Sequence, residues 1–228
     1  MKRFHVSMLL SLVAGLAVTA LMQAGPKPPP PPPPPKVKWE GFGDADVVNT
    51  RDKNHKNVVQ LTSDYQGGTY AGIFYTPKKP LTFDKLTTLS TDVNVIEGTF
   101  GGGSPRFTLV LDIDGTPTTV HIYVGTPPQF DDDPAGWQNT GNLIGGTDLR
   151  WDLTHLGGPF YGSYADAVDM IGDAQILEID LIVDSGWLFG PDGAQVIQFD
   201  NINLNGNTFN GNDIHYNDDK FPGDLGDR

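Results

Sequence analysis

The chain has no cysteine, so no disulfide can staple it in an oxidising compartment and the fold must be held by its own core. Glutamate is nearly missing as well: Glu40, Glu97 and Glu178 stand against 25 aspartates. Glutamate suits helices, whereas aspartate suits turns, caps and cation sites, so the balance predicts a loop-rich, mostly β protein. Basic residues are few, 15 against 28 acidic, for a net charge of −13. A polyanion repels polyanions, which disfavours nucleic acid and anionic membranes as partners. The leading apolar run, Met8 to Ala20, falls short of the roughly 18 to 20 residues that span a bilayer. Neither a Gly-x-Ser-x-Gly elbow nor a His-Glu-x-x-His pair occurs, and no two carboxylates sit in a glycosidase motif.

What the chain does have begins at its amino end. Lys2 and Arg3, the apolar run, and Met22-Gln23-Ala24 before Gly25 form an export leader over residues 1–24, with cleavage expected after Ala24 and Ala20 as the second choice. Its removal leaves 13 basic residues against 28 acidic, a net charge of −15. The expected destination is extracellular or cell-surface, with the periplasm as an alternative, and with no membrane insertion after cleavage. Residues 25–38 hold the run Pro28 to Pro35. In polyproline II, at about 3.1 Å per residue, that run makes a stiff spacer of roughly 25 Å.

Residues 39–209 read as one domain dominated by alternation of period two. In Arg106 to Ile113 the apolar face is Phe107, Leu109, Leu111 and Ile113; Asp114-Gly115 turns the chain. In Thr118 to Val124, Val120, Ile122 and Val124 point inward, with Thr119, His121 and Tyr123 outward. Leu177, Ile179, Leu181 and Val183 oppose Glu178, Asp180 and Ile182 in the same way. Further strands are expected at Asn57 to Thr62, Thr69 to Tyr75, Leu86 to Ile96 and Gln195 to Leu204. Tyr164 to Ile171 reads as the one helix, capped by Ser163, with Ala165, Val168 and Ile171 near one face. Eight or more strands without βαβ alternation predict an all-β fold, an antiparallel β-sandwich of jelly-roll type with one short helix. The acidic, Gly- and Asn-rich segment 210–228 has little to bury and is expected to be a flexible tail.

Three stretches, WEGFGDADV at 39–47, NVVQLTSDYQGGTYAGIFY at 57–75 and VIQFDNINLNG at 196–206, resemble the jelly-roll carbohydrate-binding modules of bacterial polysaccharide-degrading systems. In that family a Glu on the first strand and an Asp on the last commonly hold a structural calcium. The resemblance therefore implies calcium at Glu40 and Asp200, with six to eight oxygen ligands. Residue chemistry offers a competing reading for Asp200: apolar parity shifts from Ile197 and Phe199 to Ile202 and Leu204 around Asp200-Asn201, as a β-bulge produces. Asp112-Ile113-Asp114-Gly115 reads as a hairpin turn and Asp131-Asp132-Asp133 as a solvated charge run.

Sugar recognition needs flat aromatic platforms together with amides that bond hydroxyls. Trp137, in the long connection from Thr126 to Asp148, is the first-ranked platform, with Gln138, Asn139 and Asn142 beside it. Tyr161, Tyr164 and Trp187 are reserves, and the outward His121 and Tyr123 are a further candidate on a sheet face; Trp151, with Arg150 and Asp152, is another candidate beside the connection, and a core or rim anchor is the competing reading for each Trp. The leading functional expectation is a secreted, non-catalytic, lectin-like module for a neutral polysaccharide or glycan. A structural cell-surface or matrix protein is the alternative, and a polysaccharide lyase or glycoside hydrolase the third.

Overall fold

The computed structural model describes residues 38–64, 68–101, 103–127, 135–187 and 193–216. The leader, the proline run, Asp131 to Asp133 and residues 217–228 lie outside the described residues. Thirteen strands are described: β1 (Trp39–Asn49), β2 (Asn57–Asp64), β3 (Ala71–Tyr75), β4 (Leu81–Thr82), β5 (Leu89–Glu97), β6 (Arg106–Ile113), β7 (Thr116–Tyr123), β8 (Gln138–Asn139), β9 (Trp151–Asp152), β10 (Gln175–Val183), β11 (Ala194–Leu204), β12 (Asn207–Phe209) and β13 (Ile214–Tyr216). One α-helix, α1 (Tyr164–Ile171), precedes β10. No helix among the described residues is long and apolar enough to cross a membrane.

The strands form an all-β sandwich whose two sheets share β1. Its first half, through Gly43, pairs with β3, and the order continues β3-β10-β6-β7-β9. Its second half, from Asp44, pairs with β2, and the order continues β2-β11-β5-β8. These two sets are called sheet A and sheet B below. The strand turns the corner at Gly43, where φ is +63° and a Cβ would lie 2.1 Å from the Tyr70 carbonyl oxygen. Only glycine meets both demands. Among the described residues every strand pair is antiparallel except β1 with β13, which run parallel.

Alternation delivers the inward faces of both sheets to one core. Ile73, Leu181, Ile179, Phe107, Leu109 and Ile122 come from sheet A, and Val59, Leu61, Ile197, Phe199 and Val93 from sheet B. Burying side chains of this size stabilises by roughly 1.5–3 kcal/mol each, which is how a chain without disulfides holds together. The expected hairpin is present, with Asp112 Oδ1 accepting from Gly115 N at 2.7 Å. The expected bulge is present too: the β11–β5 register shifts between Asp200 and Asn203, with Asn201 at φ +48°.

Three expectations need correction. The helix is capped by Ser163 as read, but it buries Ala167 and Ile171 and leaves Val168 42% exposed. Tyr164 sets this rotation by packing on Phe83 and Trp151, which brings positions 164, 167 and 171 to the core side. In β10 a register shift between Ile176 and Glu178 puts Ile176, rather than Leu177, into the core. The fold also runs past residue 209: Asn210 and Asp213 make a capping box around the turn Gly211–Asp213, and β13 follows with Ile214 buried. A short apolar anchor among asparagines is too small a signal for periodicity to find.

Candidate functional site

Five of the residues singled out in the sequence fall on two opposite faces of the sandwich. Trp137, Gln138, Asn139 and Asp200 gather over sheet B, whereas Glu40 lies on sheet A. Asp200 and Asp92 stand opposite each other on β11 and β5, and Asn139 stands opposite Asp92 on β8, forming one row on the outer side of sheet B. The short strand β8 thus brings the long connection back onto the sheet edge and delivers Trp137 to it.

The geometry around that row is close-knit. His55 Nδ1 lies 3.1 Å from Asp200 Oδ2 and 3.9 Å from Asp92 Oδ2. Asn139 Nδ2 donates to Asp92 Oδ1 at 2.6 Å, and Asn201 Nδ2 donates to Asp92 Oδ2 at 2.7 Å. The indole of Trp137 stacks on the His55 ring, with centroids 4.0 Å apart and planes 15° apart. His55 is held by its own loop: Thr50 Oγ1 donates to the His55 carbonyl, Thr50 N donates to Lys56 O at 2.7 Å, and His55 N donates to Asp52 Oδ1 at 3.3 Å. Asp200 Oδ1 is buried without a hydrogen-bond partner among the described residues. Burial pushes this carboxyl above its ordinary range, opposed by the Asn201 backbone N–H and by His55.

The amides of the long connection divide by role. Asn139 is spent at both ends, on Asp92 and on Gly141 N at 2.9 Å. Asn142 ties the loop to β5: it accepts from Leu89 N at 3.1 Å and donates to Thr87 O at 3.0 Å, so it is a staple rather than a ligand group. Gln138 is exposed and makes only a long 3.4 Å bond to Ala135 O. A cavity of about 230 Å³ opens against Gln138, Asn139 and Thr140, with Val93, Phe100 and Val124 also lining it. Beside the Asp200 row, Gln198 Nε2 donates to Gln60 Oε1 at 3.0 Å and Asn94 Nδ2 to Gln198 Oε1 at 3.4 Å, a ladder of amides across three strands.

The reserve aromatics stand elsewhere. Tyr161 packs edge-on against Tyr123 at 5.6 Å and is 39% exposed; Tyr164 packs at 5.9 Å from Phe83 and 5.8 Å from the buried Trp151. The backbone of Trp187 closes the turn Ser185–Trp187, and its side chain lies outside the described residues. His121 and Tyr123 do point out of the core, but they are buried rather than solvent-facing. His121 Nδ1 is hydrogen-bonded to Thr108 Oγ1 at 2.9 Å, and Tyr123 OH donates to Asp152 Oδ2 at 3.0 Å.

The two residues expected to share a calcium, Glu40 and Asp200, are set apart by the register. Phe199 faces Val59 and Val59 faces Val47, so Asp200 lies toward the far end of β1 from Glu40. The seven residues from Glu40 to Val47 rise roughly 23 Å along a strand, and Glu40 pairs in sheet A whereas Asp200 pairs in sheet B. Among the described residues no group of three or more His, Asp or Glu side chains is arranged to hold a metal.

Sequence reasoning did not find His55 or Asp92. His55 is 145 residues from Asp200 in the chain, and neither residue sits in a motif; only the loop closure and the β5–β11 pairing join them.

No family model matches the chain, and no curated protein matches it. Among solved structures it is similar to one described as an exo-beta-agarase, with a TM-score of 0.35 and 15% identity. The alignment covers 78% of this chain and 24% of that one, so this chain spans about a quarter of the agarase's length. At that score the likeness fixes neither ligand nor site.

Proposed function

We propose that this protein is a secreted, non-catalytic module that holds a neutral oligosaccharide or polysaccharide against the indole of Trp137. The observation that carries the reading is the Trp137–His55 stack: one ring face is backed by an imidazole that Asp200 and Asp92 hold in place, which fixes the platform before any ligand arrives. A platform that is already ordered loses little freedom on binding. The exposed amide of Gln138 and the Gln60–Gln198–Asn94 ladder supply donors and acceptors for hydroxyls. Uronate and sulfate polymers are repelled by a chain with a net charge of −13.

Affinity electrophoresis through gels of neutral polysaccharides, followed by calorimetry on the retained glycan, tests this. Trp137→Ala is expected to cost about 1 to 3 kcal/mol of binding, by analogy with base stacking on aromatics. Unchanged affinity in a folded Trp137→Ala protein rejects the site. Export is tested separately by intact mass: the extracellular form is expected to begin at Gly25, and recovery of Met1 would reject cleavage.

A further inference from the structure

The outer side of sheet A carries a polar row that the Trp137 site does not use. Glu40, Phe74, Asp180, Thr108, His121 and Asp152 stand opposite one another in that order across β1, β3, β10, β6, β7 and β9. Their neighbours along each strand, Ile73, Ile179, Leu181, Phe107, Leu109 and Ile122, fill the core, so the row faces away from it. Outward positions of a sandwich ordinarily meet water. Here Asp180, Thr108, His121 and Asp152 are only 7%, 4%, 7% and 3% exposed.

Most of this row is satisfied internally. Asp152 accepts from Tyr123 OH, Thr154 N and Thr154 Oγ1 at 3.0, 3.0 and 2.6 Å, and Thr108 is hydrogen-bonded to His121. Asp180 is satisfied in part. One of its oxygens, Oδ1, is buried with no hydrogen-bond partner among the described residues. A buried acceptor left unmatched is costly and calls for a reason. Half-buried Phe74 stands directly beside Asp180 at one end of the row, and exposed His155 packs on His121 at 5.6 Å at the other.

We propose that this row is the floor of a second ligand site, on the opposite face of the sandwich from Trp137, for a neutral oligosaccharide whose hydroxyls bond Asp180 and the Thr108–His121 pair while a ring lies on Phe74. From β3 to β9 the row spans roughly 19 Å at the usual strand spacing, room for several sugar rings. Charge points to a neutral ligand. Burial, then the charge and hydrogen bond of Glu178, hold the Asp180 carboxyl well above its ordinary range against the opposing Arg106 charge, and its unmatched Oδ1 is an acceptor for a hydroxyl. Burial, helped by the Arg106 charge, lowers His121 to about 4, which keeps it neutral. Arg106 itself is paired with Asp184 at 3.3 Å.

The test uses the Trp137→Ala protein, which silences the first site, titrated with cello-, laminari-, manno- and xylohexaose while the His121 ring resonances are followed by NMR. A saturable shift at His121 is expected with at least one of these sugars. In the same background Asp180→Asn, which keeps an acceptor, is expected to retain that affinity, and Asp180→Leu to weaken it about tenfold. Should Asp180→Leu fail to fold, Thr108→Val takes its place with the same expected loss. No saturable shift with any of these sugars overturns the proposal, as does affinity unchanged by the leucine or valine substitution. A His121 shift seen only while Trp137 is intact overturns it too. Failure of the Trp137 reading shows independently, as unchanged glycan affinity on Trp137→Ala.

Discussion

His55 stands between Trp137 and Asp200, stacked on the indole at 4.0 Å and 3.1 Å from the carboxylate. A surface aromatic is thereby tied, through one imidazole, to a buried carboxyl on β11, the central strand of sheet B. Stability measurements read this tie directly. In a double-mutant cycle of His55→Ala and Trp137→Ala, denaturant unfolding is expected to show a coupling of about 0.5–1.5 kcal/mol, the usual range for stacked rings. Strictly additive costs would show that the rings do not support each other. His55→Ala alone is also expected to weaken glycan binding while Trp137 remains, because the platform loses its backing.

Acid should act on sheet A through His121. Its folded-state pKa is depressed to about 4, below the ordinary value of 6.5, because burial disfavours the charged ring. The unfolded chain therefore binds the extra proton first. The stability contributed by keeping the ring neutral is full above about pH 6.5 and is lost as pH falls toward 4, on the order of 3 kcal/mol in all. The carboxyls of Asp180 and Asp200 are raised instead and tilt the curve the other way, so the raw pH profile mixes the two. The difference between wild type and His121→Asn isolates the histidine. That difference is expected to shrink from pH 6.5 to pH 4, and a flat difference would refute the depressed value.

The corner of β1 gives a sharper expectation. Gly43→Ala would force a Cβ to 2.1 Å from the Tyr70 carbonyl oxygen at a φ of +63°. Neither the carbonyl, which is backbone, nor the dihedral can yield cheaply. A loss of several kcal/mol in unfolding free energy is expected, large enough to lower the yield of folded protein. A variant as stable as wild type would mean that β1 does not cross between the sheets at this residue.

Strand positions were largely legible in the sequence because one-sided burial writes period two into the chain. β6 was read with its observed ends, and α1 with its cap, since Ser163 and Asp166 are close in sequence and make a local signal. The bulge at Asp200 was legible for the same reason: it shifts the parity of the apolar residues around it. The candidate site was legible only in part. Trp137 stood out because an aromatic in a polar connection has no obvious core to serve. The outward residues of sheet A did not, because His121 and Asp180 alternate with core residues as solvent-facing polar residues do, and periodicity does not report how deeply an outward side chain is buried. The pairing of Glu40 with Asp200 came from terminal motifs alone, and the path of β1 through two sheets separates them.

Calcium provides a direct check on that separation. Chelation is expected to leave the melting temperature unchanged, since a ligand bound only to the folded state would raise it with concentration. If calcium does raise it, the register requires that Glu40→Gln and Asp200→Asn do not both abolish the effect. Loss of the response in both variants would place the two carboxylates on one ion and contradict the strand pairing.

The parallel pairing of β1 with β13 sets how the domain bears load. Trp39 lies beside Ile214 and Gly41 beside Tyr216, so the first and last described strands run side by side in the same direction. A pull applied between the two ends of the domain drags these strands past each other along their length. Their hydrogen bonds are then strained in shear and must give way together, whereas strands peeled apart from one end lose their bonds one at a time. For a domain fixed at one end to a surface and drawn at the other by moving fluid, this seam is the first point of resistance.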